Sequence, residues 1–527
     1  MIEELNRRMN QEQNTYYHVP QGQMMPPQGP RTESQERRGG RRWIIKMPDA
    51  FPKWLTQYSM VVYILALAVV SFMYSQYSMP WYYLLSGVVA VAVFFLFGSS
   101  VVKNTSIDRI RRINAFEKRI FLYAFIPRVL FTFLLYYIFQ SSYNNAFGIE
   151  TGDALYYHEL GEFVSSLISK GDFHFYDEIT RFSGGHDDIS DMGYGIYVGF
   201  IYWMTGNSII VVRLLKCLLS SYIVLLIYRL AKQNFDEQTA RMAAIFCALW
   251  PNFWYYCAVH LKETEMVFLG VLFVEQAEQM LRSRQFTAWK VIPVLLIAAA
   301  IFTVRTPLGL VALLALVFSV VMSSSRVVTW GKRIIIGFLA IALIGVVAGN
   351  RIEEQSRELF EQARGDRQQE NMEWRSKRQD GNAFAKYAGK SVFAPLIFTI
   401  PFPSMVQPFE GQDVQQLLNG GNYVKNIMSC FTIFALIMLL ISGRWRDHLL
   451  PLSFMLGYIV VLTLSTFAQS ERFHQPAMPF EFMFAAYGLS IAVTKKKYKR
   501  WFTYWCALMF VACIAWNWFK MAGRGLA

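Results

Sequence analysis

The chain of 527 residues reads as an all-α polytopic integral membrane protein, with about 13 transmembrane helices and further helices lying along the outer membrane surface. Three observations carry that reading. Apolar residues make up 54% of the chain and charged residues only 17%, and the mean hydropathy of +0.27 sits above a soluble average. The apolar residues are gathered into runs near the roughly 20 residues that cross a bilayer. The basic residues behind the +14 net charge fall largely in short segments between those runs. Arg109, Arg111, Arg112, Lys118 and Arg119 form one such segment, and Lys495, Lys496, Lys497, Lys499 and Arg500 another. Short basic loops mark the cytoplasmic face. This pattern excludes a soluble enzyme, a secreted disulfide scaffold and a disordered chain, and charge placed this way argues against a nucleic-acid partner.

Residues 1–54 are rich in Gln, Pro, Met and Arg and lack hydrophobic periodicity, which predicts a disordered basic cytoplasmic tail. The first long apolar run begins near Leu55, so no cleavable signal peptide is expected. Runs at 55–75 and 81–98 form a transmembrane hairpin around Ser78-Met79-Pro80, and a basic linker to residue 118 returns the chain to the cytoplasm. The run 119–139 then crosses outward into a first outer loop, 140–208.

Within that loop Met192–Thr205 is apolar but short. If it crossed, Arg282, Arg284 and Lys290, and also Arg326, Lys332 and Arg333, would land outside, so an interfacial helix is expected. The further crossings are 209–228, 242–258, 264–281, 289–304, 307–323 and 333–349. After an outer excursion at 350–424 come 425–442, 449–469, 477–493 and 502–519. These divide the chain into an added hairpin with its linker (55–118), a central module (119–349), the excursion (350–424) and C-terminal helices (425–527). Cys217, Cys247, Cys257, Cys430, Cys506 and Cys513 lie in or near apolar runs without a CxxC pair, which reads as reduced, packed thiols.

Chemistry is expected where polar residues meet the outer face. Asp153 opens a helical pattern in which Leu155, Leu160, Phe163 and Ile168 share an apolar side; an N-cap is the plain alternative for its carboxylate. His260-Leu261-Lys262-Glu263-Thr264-Glu265 is a polar turn between two apolar runs on the same side. Two acidic sites at one face suit either a base with its orienting partner or a divalent cation held by oxygen ligands. Arg305 precedes Pro307 at another outer turn, and Arg213 and Lys216 lie one turn apart near the outer end of their crossing. Arg472 and His474 stand in the outer turn Glu471-Arg472-Phe473-His474-Gln475-Pro476 and suit a phosphate leaving group. His186, Asp187, Asp188 and Asp191 resemble a metal-binding cluster in composition and a polar turn equally well. No GxxxxGK[ST], GxSxG or HExxH occurs.

The order of these motifs resembles the GT-C superfamily of membrane glycosyltransferases. Gly152-Asp153-Ala154-Leu155-Tyr156-Tyr157 is similar to that family's first-loop acidic motif. Arg213-Leu214-Leu215, Ala248-Leu249-Trp250-Pro251, Leu261-Lys262-Glu263-Thr264 and Val304-Arg305-Thr306-Pro307 follow in order. Glu471-Arg472-Phe473-His474 and Pro476-Ala477-Met478-Pro479-Phe480 resemble the closing segment of the bacterial branch with aminoarabinose and protein mannosyl transferases. The resemblance covers about 119–349 and 449–493.

It implies a GT-C-like fold and inverting transfer of a sugar from a polyprenyl-phosphate donor to a glycan, lipid or protein acceptor. The place implied is the periplasmic face of a bacterial inner membrane, with the N-terminus cytoplasmic. Asp153 and Glu263 become the catalytic candidates; Tyr156, Tyr157, Arg213, Arg305, Arg472 and His474 become the donor-binding candidates. A two-acid form of the first motif is common in the family, whereas here Gly152 precedes Asp153. A divalent cation (Mg or Mn) at Asp153 therefore needs Glu159 or Glu263 as a second ligand. A polymerase or ligase of lipid-linked glycans, and a transporter of lipid-linked sugars, remain open beside the transferase.

Overall fold

The computed structural model describes residues 51–522 apart from 108, 111, 150–151, 184–189, 191, 284–286, 325–327, 329–330, 332–396, 408–413, 465–469 and 495. The expected tail up to residue 50, the run 333–349, most of the excursion and the acidic cluster from His186 to Asp191 lie outside the described residues.

The described residues are overwhelmingly helical, and their one isolated β pairing joins Ser78 to Val406. Helices α1 (Lys53–Met73) and α2 (Trp81–Asn104) form the first hairpin. Pro80, which lacks an N–H, stands just before α2, where no intrahelical donor is needed. The long α3 (Ile113–Tyr143) ends at Asn144 in the left-handed region, a usual helix stop. Three helices follow: α4 (Asp153–Lys170), α5 (Phe175–Phe182) and α6 (Met192–Thr205). Next come α7 (Ile209–Asn234), α8 (Glu237–Leu249), α9 (Pro251–Ala258), α10 (Glu263–Arg282), α11 (Ala288–Val304) and α12 (Thr306–Met322). The chain resumes with α13 (Asn419–Ile441), α14 (Leu449–Leu464), α15 (Glu471–His474), α16 (Met478–Ala492) and α17 (Lys496–Ala522).

Among these, α1, α2, α3, α7, α13 and most of α17 are long and apolar enough to cross a membrane; α11, α12, α14 and α16 are apolar but shorter. Membrane-spanning character is thus present in six described helices, against the expected count of about 13.

The expected single crossing at 242–258 is instead two helices. Pro251 cannot donate to the carbonyl of Cys247, so the helix stops at Leu249, Trp250 is extended, and Pro251 starts α9 at a position that suits proline. The freed carbonyls find another donor. Arg128, fully buried on α3, reaches Cys247 O at 3.0 Å and Ala248 O at 2.9 Å, with its own Ala124 O and Ser220 Oγ as further partners. A buried guanidinium here takes the place of the missing N–H.

The main apolar core runs through α1–α3, α7–α14, α16 and α17, with α13 packed on α16 and α1 on α17. The added N-terminal hairpin is therefore built into the last helices; Tyr423 Oη donates to Ser59 O at 2.7 Å. A smaller core joins the C-terminal end of α3 to α4, α6 and α9. Helices α4 and α6 cross closely because small residues face each other: a Cβ on Gly199 would fall 2.4 Å from Val164 Cγ1, and one on Gly161 would fall 2.5 Å from Val198 Cγ1. The buried side of α4 is Ala154, Tyr157, Leu160, Gly161, Val164 and Ile168, at helical spacing. Leu155, expected on that side, is exposed instead; the stripe passes through Ala154 and Tyr157 on either side of it.

Candidate functional site

Four separate chain ends converge at one place: the start of α4, the turn between α9 and α10, the turn between α11 and α12, and α15. Asp153 is the first residue of α4, where the positive end of the helix dipole favours a carboxylate. It does not cap the helix. Gly152 holds the cap position without a side-chain bond, and the Asp153 carboxylate, with a side chain 59% exposed, accepts from Arg472 Nη1 at 2.5 Å. Arg472 Nε donates to Glu263 Oε1, and the Glu263 side chain is 3% exposed. One guanidinium thus joins an open carboxylate to a closed one. Burial lowers the Arg472 pKa, but Glu263 and Asp153 more than reverse that and hold the cation charged.

Two further cations flank the bridge. The Arg305 guanidinium lies 5.2 Å from the Phe473 ring centroid, and that of Arg472 lies 5.8 Å from the same ring. Arg305 is the residue before α12, where Pro307 sits in the first turn without losing a hydrogen bond. Lys262 donates to Val304 O at 3.0 Å and stands 5.9 Å from the Tyr157 ring centroid. Burial first, and Arg305 second, push the Lys262 pKa down to about 7. Burial, with Glu263 next, pushes the Tyr157 phenol up, so the ring stays neutral.

Of the residues expected from sequence, the structure brings together Asp153, Glu263, Tyr157, Arg305 and Arg472. Three others sit elsewhere. Tyr156 turns toward α5, its hydroxyl 3.0 Å from Ser183 Oγ. Arg213 is buried in α7, donating to Ala146 O at 2.6 Å. His474 is buried behind α15, with Nδ1 2.8 Å from Lys425 Nζ, and Lys425 in turn donates to Ile400 O. Lys262 is the residue without an assigned role that the structure adds; its adjacency to Glu263 was the available signal.

The donor set does not fit a divalent cation. Asp153 and Glu263 share a guanidinium that already supplies the positive charge, and Glu159 lies exposed farther along α4. Among the described residues no group of three or more His, Cys, Asp or Glu side chains is arranged to hold a metal. Chemically, the cluster offers an accessible base at Asp153 beside Lys262 and Arg305, both able to meet a phosphate.

Residues 196–349 match the family model of the dolichyl-phosphate-mannose-protein mannosyltransferases. The matched stretch contains Arg213, Lys262, Glu263 and Arg305; Asp153 and Arg472 lie on either side of it. No curated protein and no solved structure matches the chain. The match supports a membrane glycosyltransferase of the GT-C type whose partners are a lipid-linked sugar and an acceptor.

Proposed function

We propose that the chain transfers a sugar from a polyprenyl-phosphate donor to a hydroxyl of a glycan, lipid or protein acceptor, with inversion, at the periplasmic face of a bacterial inner membrane. The observation that carries this is the Arg472 bridge between Asp153 and Glu263 with Lys262 and Arg305 beside it. Base and phosphate-binding cations are then adjacent, as a displacement at an anomeric carbon requires.

In this reading Asp153 takes the proton of the acceptor hydroxyl while that oxygen attacks the anomeric carbon. The bond from that carbon to the phosphate oxygen breaks, and the lipid phosphate leaves with the electron pair. Lys262 and Arg305 stabilise the charge growing on it. Arg472 keeps Asp153 aimed, Glu263 holds Arg472, and Tyr157 lines the sugar's approach. The catalytic module then takes in 119–349 together with α15 and α16, rather than the central segment alone.

The test is transfer from a panel of polyprenyl-phosphate and pyrophosphate sugars, comparing wild type with Asp153→Asn in the same membranes. Loss of a general base lowers the rate by roughly 10²–10⁴-fold. Undiminished transfer by a folded Asp153→Asn protein would remove Asp153 from the chemistry.

A further inference from the structure

A second group of polar side chains is closed off beneath the outer turn, and the proposed reaction uses none of it. Arg213, Lys216 and His260 have no exposed surface, Tyr194 1% and Glu265 5%. Five of their buried polar atoms have no hydrogen-bond partner: Arg213 Nε and Nη1, both His260 ring nitrogens and the Tyr194 hydroxyl. Proteins leave few such atoms, and here they lie side by side. Lys216 Nζ is 5.7 Å from the Tyr194 ring centroid, and the His260 ring is 6.2 Å from that of Tyr194. Arg213 lies one turn before Lys216 on α7, and both are buried.

The charges are also unequal. Lys216 Nζ stands 3.7 Å from Glu265 Oε2, so these two form a pair. Arg213 has no carboxylate within ion-pair distance among the described residues; its bonded acceptor is the carbonyl of Ala146. A fully buried guanidinium without an anion is costly, and a neutral water satisfies its N–H groups but not its charge. An anionic oxygen satisfies both. Its remaining lone pairs suit the Tyr194 hydroxyl and the His260 N–H, since in either neutral tautomer one ring nitrogen donates.

We propose that Arg213, His260 and Tyr194 form a buried site for an oxyanion, a carboxylate or phosphate group, separate from the leaving phosphate that Lys262 and Arg305 meet. The lid of the site is the turn 144–148, in which Asn144 and Gly148 are left-handed and Asn145 Oδ1 accepts from the backbone N–H of Phe147 and Gly148. Ala146 O is the group an entering anion displaces from Arg213. Glu263 and Glu265 lie two residues apart at the start of α10, one turned to the Arg472 bridge and the other to this site. On the glycosyl-transfer reading, on which only this assignment rests, the oxyanion is an acidic group on the substrate glycan.

The test uses the full chain purified in detergent and measures saturable thermal stabilisation by inorganic phosphate, by glucuronate and by glucose as the neutral control. Wild type and Arg305→Gln are expected to respond to an anion and not to glucose, while Arg213→Gln weakens the response at least tenfold. Arg213→Lys, which keeps the charge but not the planar fork, gives an intermediate loss and serves if the glutamine variant does not fold. A response to phosphate alone assigns the site to a phosphate group, and one to glucuronate to an acidic sugar. Absence of saturation by either anion, or equal affinity in wild type and the folded Arg213 variants, overturns the proposal. The readout needs no transfer, so anion binding without sugar transfer would sink the catalytic reading and leave this site standing.

Discussion

Replacing Arg472 by Met separates the two roles of the carboxylate bridge. On one side the change leaves Glu263, 3% exposed, as a buried carboxylate that has lost its cation, while its other oxygen, Oε2, already lacks a partner. Breaking a buried pair from one side costs about 3–5 kcal/mol. On the other side it frees Asp153, 59% exposed, where an open ion pair is worth about 0–1 kcal/mol. Arg472→Met is therefore expected to lose several kcal/mol in denaturant titration of the detergent-solubilised protein, and Asp153→Asn about 1 kcal/mol or less. Adding Glu263→Gln to Arg472→Met should recover most of the lost stability, because a neutral amide tolerates burial better than a lone carboxylate. Sugar transfer should stay low in the double variant, since Asp153 is still unheld. Equal stability losses for Arg472→Met and Asp153→Asn would refute the account of an open and a closed carboxylate sharing one cation.

Other outcomes follow from the same structure. Burial holds the Lys262 pKa at about 7, so its charged form is present below that pH and lost above it. If that charge meets the leaving phosphate, kcat/KM for transfer falls as pH rises through about 7, and a Lys262→Arg protein, which stays charged, keeps its rate. Arg128→Leu strips the donors from Cys247 O and should destabilise the protein by about 1–3 kcal/mol or more, measurable by thermal denaturation. Gly199→Ala places a Cβ 2.5 Å from the Val164 Cβ, so α4 and α6 must move apart; a stability loss of about 1–3 kcal/mol with reduced transfer is expected.

Much of the helical frame was readable because the hydrophobic runs are long and their ends carry charge or proline. The α1–α2 hairpin, α7, α10, α11 and α12 fall close to the runs at 55–75, 81–98, 209–228, 264–281, 289–304 and 307–323. The break at Trp250 was hidden because α8 and α9 are both apolar, and hydropathy alone does not register one missing N–H. At the candidate site, residue type and order pointed to Asp153, Glu263, Arg305 and Arg472. The partner of Asp153 was not readable, because a bond between residues 319 apart leaves no periodic trace. Lys262 was hidden for a different reason: its place beside Glu263 in the polar turn was visible, but its burial, which distinguishes it, was not. Tyr156 and His474 share segments with site residues but point elsewhere, since adjacent positions on a helix lie about 100° apart.

The Arg472 bridge also bears on biosynthesis. Glu263 is translated 209 residues before its counter-ion. At about 5–20 residues per second this is a delay of roughly 10–40 s, during which the carboxylate has no Arg472 to bond. The fold around α10 is therefore completed only when the C-terminal part has been inserted, and a chain cut short before α15 carries an unneutralised acid in its interior. On the proposed function, the site is complete only in molecules whose synthesis has passed Arg472.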